Sequence, residues 1–186
     1  MQVEVTKKLF TVDEYYRMAA TGILGPEDRV ELIEGEIIQM SPIGDRHAGN
    51  VNRATELFVT SFKGRAVVSV QNPIQLSDYT EPEPDVVLLK PRTDHYSSKK
   101  VWAGDALLVV EVSDTTLRYD RNVKLPLYAA AGVPEVWIEN LRADELLVYR
   151  NPTGKAYSES LVLHRGDSVS PVAFPDVTFE VDALLG

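Results

Sequence analysis

The chain has 186 residues, 44% of them apolar, with 28 acids against 19 lysines and arginines and a net charge of −9. That length can bury a substantial core as one domain, residues 1–186, while the acidic balance argues against a tight non-specific nucleic-acid binder, whose affinity comes from neutralising phosphates. The lack of cysteine excludes disulfides, cysteine–zinc sites and thiol nucleophiles, and no apolar run is long enough to span a bilayer. The first residues lack the apolar core of a signal peptide, so the expectation is a cytoplasmic protein with no membrane partner.

In chain order, Thr11 and Glu14 form a capping-box pattern at the start of a short helix, and Gly22 is its stop. Residues 29–40 read as a hairpin turning at Glu34-Gly35. Strand alternation leaves Glu31 two readings, an acid on a solvated face or an acid aimed at a site. A helix is expected over 47–63, with Val51, Ala54, Leu57, Phe58 and Phe62 as its apolar face and His47 in its first turn.

A strand over 65–70 is followed by an irregular stretch around Pro73, then by Glu81-Pro-Glu-Pro, stiffened by its prolines, which leads into a strand over 85–89. Residues 90–105 form a long basic loop. Lys90, Arg92, Lys99 and Lys100 could meet phosphates, with Tyr96 and Trp102 able to stack on bases; the plainer reading is a solvated loop. An apolar strand over 106–112 follows, then a turn at 113–116 suited to capping a helix over 118–131. A strand from Pro134, a hairpin around Asn151-Pro-Thr-Gly, and a closing strand and tail over 165–186 complete the order.

Two of these strands carry an acid where a core strand should carry none: Asp85 and Glu111. Buried carboxylates are costly unless paired or bound to a cation. If the two strands are antiparallel neighbours, the start of one lies beside the end of the other and the acids meet. Two hard oxygen donors in an open shell suit Mg²⁺ or Mn²⁺. A cationic group must then stand near the attacking water. Ser113, two residues after Glu111, cannot supply it. Lys124 can, if the helical face carrying Asp120, Lys124 and Tyr128 at four-residue spacing folds over the sheet edge. Otherwise Asp120 and Lys124 are an exposed pair.

With these residues in place, the chain resembles the Uma-type family of restriction-endonuclease-like proteins, within the PD-(D/E)XK nuclease superfamily. The resemblance rests on Arg29-Val-Glu-Leu-Ile-Glu-Gly-Glu-Ile, Met40-Ser-Pro with His47, Pro82-Glu-Pro-Asp-Val-Val, Val110-Glu-Val-Ser with Thr115-Thr116, Asp120-Arg-Asn-Val-Lys-Leu-Pro-Leu-Tyr, and Gly132-Val-Pro-Glu-Val-Trp. It implies an α/β (α+β) fold with a mixed central sheet flanked by helices, an N-terminal helix and hairpin, and a C-terminal β extension. It also implies Mg²⁺-dependent (or Mn²⁺-dependent) hydrolysis of DNA phosphodiesters. Asp85 and Glu111 take the metal-binding positions, with the Val112 carbonyl as a helper.

Ser113 stands where the superfamily pattern has lysine, and Lys124 fits a lysine relocated to the next helix. Glu31 matches a further acid. His47, Ser113, Asp120 and Tyr128 are candidates for the groups that hold the site in place. DNA is the implied partner, and cutting both strands of a duplex favours a homodimer by symmetry. The alternative is a catalytically inactive nuclease-fold interaction module. A hydrolase of a non-nucleic substrate, using paired carboxylates as acid and base, is a third reading, without an aromatic sugar-site signal to support it.

Overall fold

A computed structural model describes residues 6–25 and 27–186; residues 1–5, read above for a leader, lie outside them. The centre is a six-stranded mixed sheet, ordered β3-β4-β5-β6-β7-β8. Its strands are β3 (Val67–Val70), β4 (Val86–Leu89), β5 (Ala106–Ser113), β6 (Glu135–Asn140), β7 (Glu145–Thr153) and β8 (Ala156–His164). All pairs are antiparallel except β5 with β6. That parallel pair requires a crossover, and the segment from 114 to 134 supplies it.

The continuous apolar runs of β4 and β5 have the composition of strands buried on both faces, and both faces are covered. On one side Val110, Val112 and Trp137 pack against Ala54, Phe58 and Phe62 of helix α2 (Asp45–Ser61). Phe179, Leu184 and Leu185 close that core. They belong to the tail, which forms a two-stranded sheet of β9 (Ser168–Val169) and β10 (Phe179–Glu180) and the short helix α5 (Val181–Leu185). The expected single closing strand is therefore a strand pair and a helix. On the other face Val109 and Ile138 pack with Tyr128 and Val133.

Ahead of the sheet, α1 (Val12–Ala20) starts at the expected reciprocal Thr11–Glu14 capping box. Strands β1 (Val30–Ile33) and β2 (Glu36–Gln39) form the expected hairpin. Its two turn residues both have positive φ, +48° at Glu34 and +81° at Gly35, the backbone of a two-residue hairpin turn matched to strand twist. A bridge between Leu32 and Glu81 ties the hairpin to the segment feeding β4.

The expected continuous helix over 118–131 is three pieces: α3 (Leu117–Tyr119), a π-helical turn (Asp120–Lys124) and α4 (Leu125–Ala130). Pro126 gives a physical reason. It has no N–H to donate, and its ring crowds the carbonyl four residues back, at Asn122, so the preceding turn widens. Helix α2 starts two residues before the expected 47. The β7–β8 turn falls at Gly154-Lys155, so Asn151 and Pro152 lie inside β7. Among the described residues, no helix is long and apolar enough to cross a membrane.

Candidate active site

The pairing of β4 with β5 aligns Val86 with Val110, so the residue before one strand meets the last residues of the other. Those residues are Asp85 and Glu111. Asp85 sits at the mouth of β4, where the Val112 amide donates to its Oδ2 at 2.8 Å and the Gln71 side-chain amide to its Oδ1 at 3.3 Å. His47, in the first turn of α2, contacts it through Nε2 at 3.1 Å. Glu111 falls opposite Asp85 in the register and shares its face of the sheet, where the Tyr128 hydroxyl donates to its Oε1 at 2.6 Å.

The π-helical turn brings Lys124 over the sheet edge, with Nζ 3.3 Å from Glu111 Oε1 and 3.3 Å from Glu31 Oε2. Glu31 on β1 is thus aimed into the site; the solvated-face reading fails. It also accepts from the Tyr119 hydroxyl at 3.0 Å and the Glu83 amide at 3.2 Å. Asp120 makes no ion pair with Lys124. Its Oδ2 accepts from Ser113 at 2.6 Å and from Thr116 at 2.7 Å, so Thr116 serves the carboxylate instead of capping the helix. The structure therefore gathers all eight sequence-derived candidates, Glu31, His47, Asp85, Glu111, Ser113, Asp120, Lys124 and Tyr128, at one end of the sheet.

The site is sunk below the surface. Glu31 is 2% exposed, Glu111 3%, Lys124 6% and Asp85 9%. It opens into a cleft of about 490 Å³, also lined by Arg29, Met40, Ile43, Gln71, Glu83, Arg118 and Tyr119. Burial pushes Glu111 up to about 8; the Lys124 charge opposes that shift, while Asp120 and Asp85 add to it. Burial would lower Lys124, but the charges of Glu111 and Glu31, then of Asp120 and Asp85, outweigh it and hold the ammonium above the ordinary lysine range. Burial likewise raises Asp120, against Lys124 and the two hydroxyl donors. The hydrogen bond to Asp85 raises His47, with partial burial opposing it, and the His47 Nδ1 is buried without a partner among the described residues. One buried ammonium thus faces four buried carboxylates.

The donor set fits a hard divalent cation. Among the described residues no three His, Asp or Glu side chains are grouped as a metal site, so the protein would supply two carboxylates and leave the rest of the shell to water and substrate. Glu111 lines the cleft.

Sequence reasoning missed Gln71, Tyr119 and Arg118. Gln71 has one signal in hindsight, its place in the irregular stretch before Pro73, where it takes a φ of +50°. The basic loop at 90–105 proves largely self-neutralised: Arg92 pairs with Asp94 at 2.8 Å, Lys99 with Asp105 at 3.3 Å, and Lys100 with Glu81 at 3.8 Å. Lys90 donates to the Gly104 carbonyl at 2.7 Å.

A mixed sheet with helices on both faces, an Asp–Glu pair at one end and a lysine from the following helix define a restriction-endonuclease-like fold. A crystal structure titled as "a putative nuclease belonging to DUF820" from Anabaena variabilis is similar in fold. Its TM-score is 0.72 at 17% sequence identity, covering 95% of this chain and 97% of that one. The chain belongs to the Uma2 family, described as "Putative restriction endonuclease", whose profile matches residues 12–182. No curated protein matches the sequence.

Proposed function

We propose that this protein is an endonuclease that hydrolyses DNA phosphodiester bonds and needs Mg²⁺ or Mn²⁺. The observation that carries the reading is the buried Lys124 ammonium, 3.3 Å from Glu111, with Asp85 at the adjoining strand end. Family membership supports the same reaction class.

Asp85 and Glu111 would hold the cation, with help from the Val112 carbonyl. The Val112 N–H faces Asp85, and a strand residue's N–H and C=O point to the same edge. When bound, such an ion acidifies water and offsets negative charge on a phosphoryl group. Lys124, kept charged by its carboxylate neighbours, donates a hydrogen bond to the attacking water or to a non-bridging phosphoryl oxygen. Glu31 and Tyr128 fix the lysine and Glu111, and the Gln71, His47 and Val112 contacts fix Asp85. Hydrolysis forms one P–O bond from water and breaks one to a sugar oxygen, which takes up the proton that water loses.

Calorimetric titration of Mg²⁺ and Mn²⁺ into wild type and into an Asp85→Ala, Glu111→Ala double variant tests the assignment, followed by cleavage of mixed DNA substrates by each single variant. Binding and cleavage that vanish while the fold survives are expected. Full cleavage in both single variants would overturn it. No cation binding with or without DNA would instead favour a non-catalytic module on the same fold. On a duplex, cutting both strands calls for two copies related by a two-fold axis; on a single strand one copy suffices.

A further inference from the structure

We infer that the cleft is built to take an unpaired nucleotide, so that the substrate is a single DNA strand or the unpaired arm of a fork, and not the interior of a closed duplex. The inference rests on the phosphodiesterase reading above and adds the substrate class. Three observations carry it.

The first is depth. The reacting groups are 2–9% exposed at the bottom of a cleft of about 490 Å³. That volume lies in the roughly 300–1,000 Å³ range of pockets that enclose small ligands. A duplex is stiff, with a persistence length of about 150 base pairs, and kinking it to bring one phosphodiester to the floor of such a cleft carries a deformation cost. An unpaired strand can bend into it.

The second is the make-up of the walls. Beside Glu31, β2 and the segment that follows it contribute Ile38, Met40, Pro42 and Ile43 to the wall. Ile43 is 40% exposed. A paired strand keeps its base faces stacked and offers mainly sugar, phosphate and groove edges to a cleft wall, for which an apolar surface is a poor match. An unpaired base offers an apolar face that gains from such a surface.

The third is where free positive charge lies. In this acidic chain most lysines and arginines pair with local acids, Arg92, Lys99 and Lys100 of the 90–105 loop included. Arg118 is exposed and makes no ion pair among the described residues. The Arg29 guanidinium donates to the Ser41 carbonyl at 3.3 Å, a neutral acceptor, and makes no ion pair among the described residues. Both line the cleft. They are placed to meet the phosphates of a strand whose base lies on the apolar wall and whose scissile bond reaches the acids.

The test uses the full chain and a matched set of labelled DNAs: a short single strand, its blunt duplex and a fork of the same sequence. Binding is read by fluorescence anisotropy with Ca²⁺, and cleavage by gel with Mg²⁺. The strand and the fork are expected to bind about tenfold or more tighter than the duplex, the scale of one stacked base. The fork should be cut in its unpaired arm. Met40→Ala and Ile43→Ser, both at the cleft rim, should each weaken strand binding with the thermal midpoint unchanged. Duplex bound and cut as well as the strand, or rim variants that bind like wild type, would overturn the inference while leaving the nuclease reading intact. Failure to bind or cut any of the three would remove both.

Discussion

The Lys124 ammonium stands 3.3 Å from a carboxylate oxygen of Glu31, joining the crossover after β5 to the first hairpin of the chain. Both groups are almost wholly buried, so each is costly without the other. Lys124→Met should therefore destabilise the protein by about 3–5 kcal/mol, the usual cost of breaking a buried pair from one side. Adding Glu31→Gln to that variant should recover part of the loss. Urea unfolding of the two singles and the double closes the cycle; strict additivity would mean that the pair is not coupled.

Glu111→Gln separates charge from shape. The Tyr128 hydroxyl can still donate to the amide oxygen and Glu31 still faces Lys124, so the fold should survive, with a thermal midpoint lowered by the loss of the Glu111–Lys124 ion pair. Mg²⁺ binding by calorimetry should disappear, and wild-type cleavage should stop when the cation is chelated. Undiminished cation binding in the variant would place the cation elsewhere.

Glu139 gives the pH prediction. It lies on β6 with no exposure, and among the described residues neither carboxyl oxygen has a hydrogen-bond partner. Burial, with the Asp85 charge adding and Arg53 opposing, raises it well above the usual carboxylate range. The folded state therefore holds this proton at pH values where the unfolded state has lost it. Stability from this group is full below the unfolded value and falls as pH rises above it, by at most about 1.4 kcal/mol per pH unit. Glu139→Gln mimics the protonated acid and should gain on wild type as pH rises from 5 to about 8. Urea midpoints that stay parallel across that range would refute it.

Gly35 couples the hairpin to the site. At φ +81°, a Cβ there would meet the Leu9 Cβ at 2.7 Å. Gly35→Ala should cost about 1–3 kcal/mol from backbone strain alone, with the clash adding to it. Because the same hairpin holds Glu31 against Lys124, cleavage should fall along with the thermal midpoint. A variant with unchanged midpoint and activity would show that the turn tolerates a side chain.

Salt dependence distinguishes free cations from paired ones. Arg118→Ala should lower the slope of log affinity against log salt by about 1, as expected for one lost phosphate contact. Lys99→Ala should leave the slope unchanged, since Lys99 already faces Asp105. Equal effects at both positions would argue that DNA approaches over the 90–105 loop as well.

The sequence by itself determined the elements whose signals are local. The short run Val86–Leu89, β-branched at its start and preceded by two prolines, reads as a buried strand, Thr11 with Glu14 caps a helix through atoms three residues apart, and Glu34-Gly35 turns a hairpin. It also marked Asp85 and Glu111 as anomalies, because a carboxylate inside an apolar strand is costly wherever that strand goes. The tertiary structure alone decided which acids Lys124 would join. Helical spacing pairs it with Asp120; in the fold Asp120 turns to Ser113 and Thr116, and the lysine bridges Glu31 and Glu111. The π-helical turn, the self-neutralised basic loop and the recruitment of Gln71, Arg29 and Arg118 to the cleft were hidden for the same reason. Backbone propensity and capping act over a few residues of chain, whereas burial, charge pairing and hydrogen bonding act through space between elements that only the packed sheet brings together.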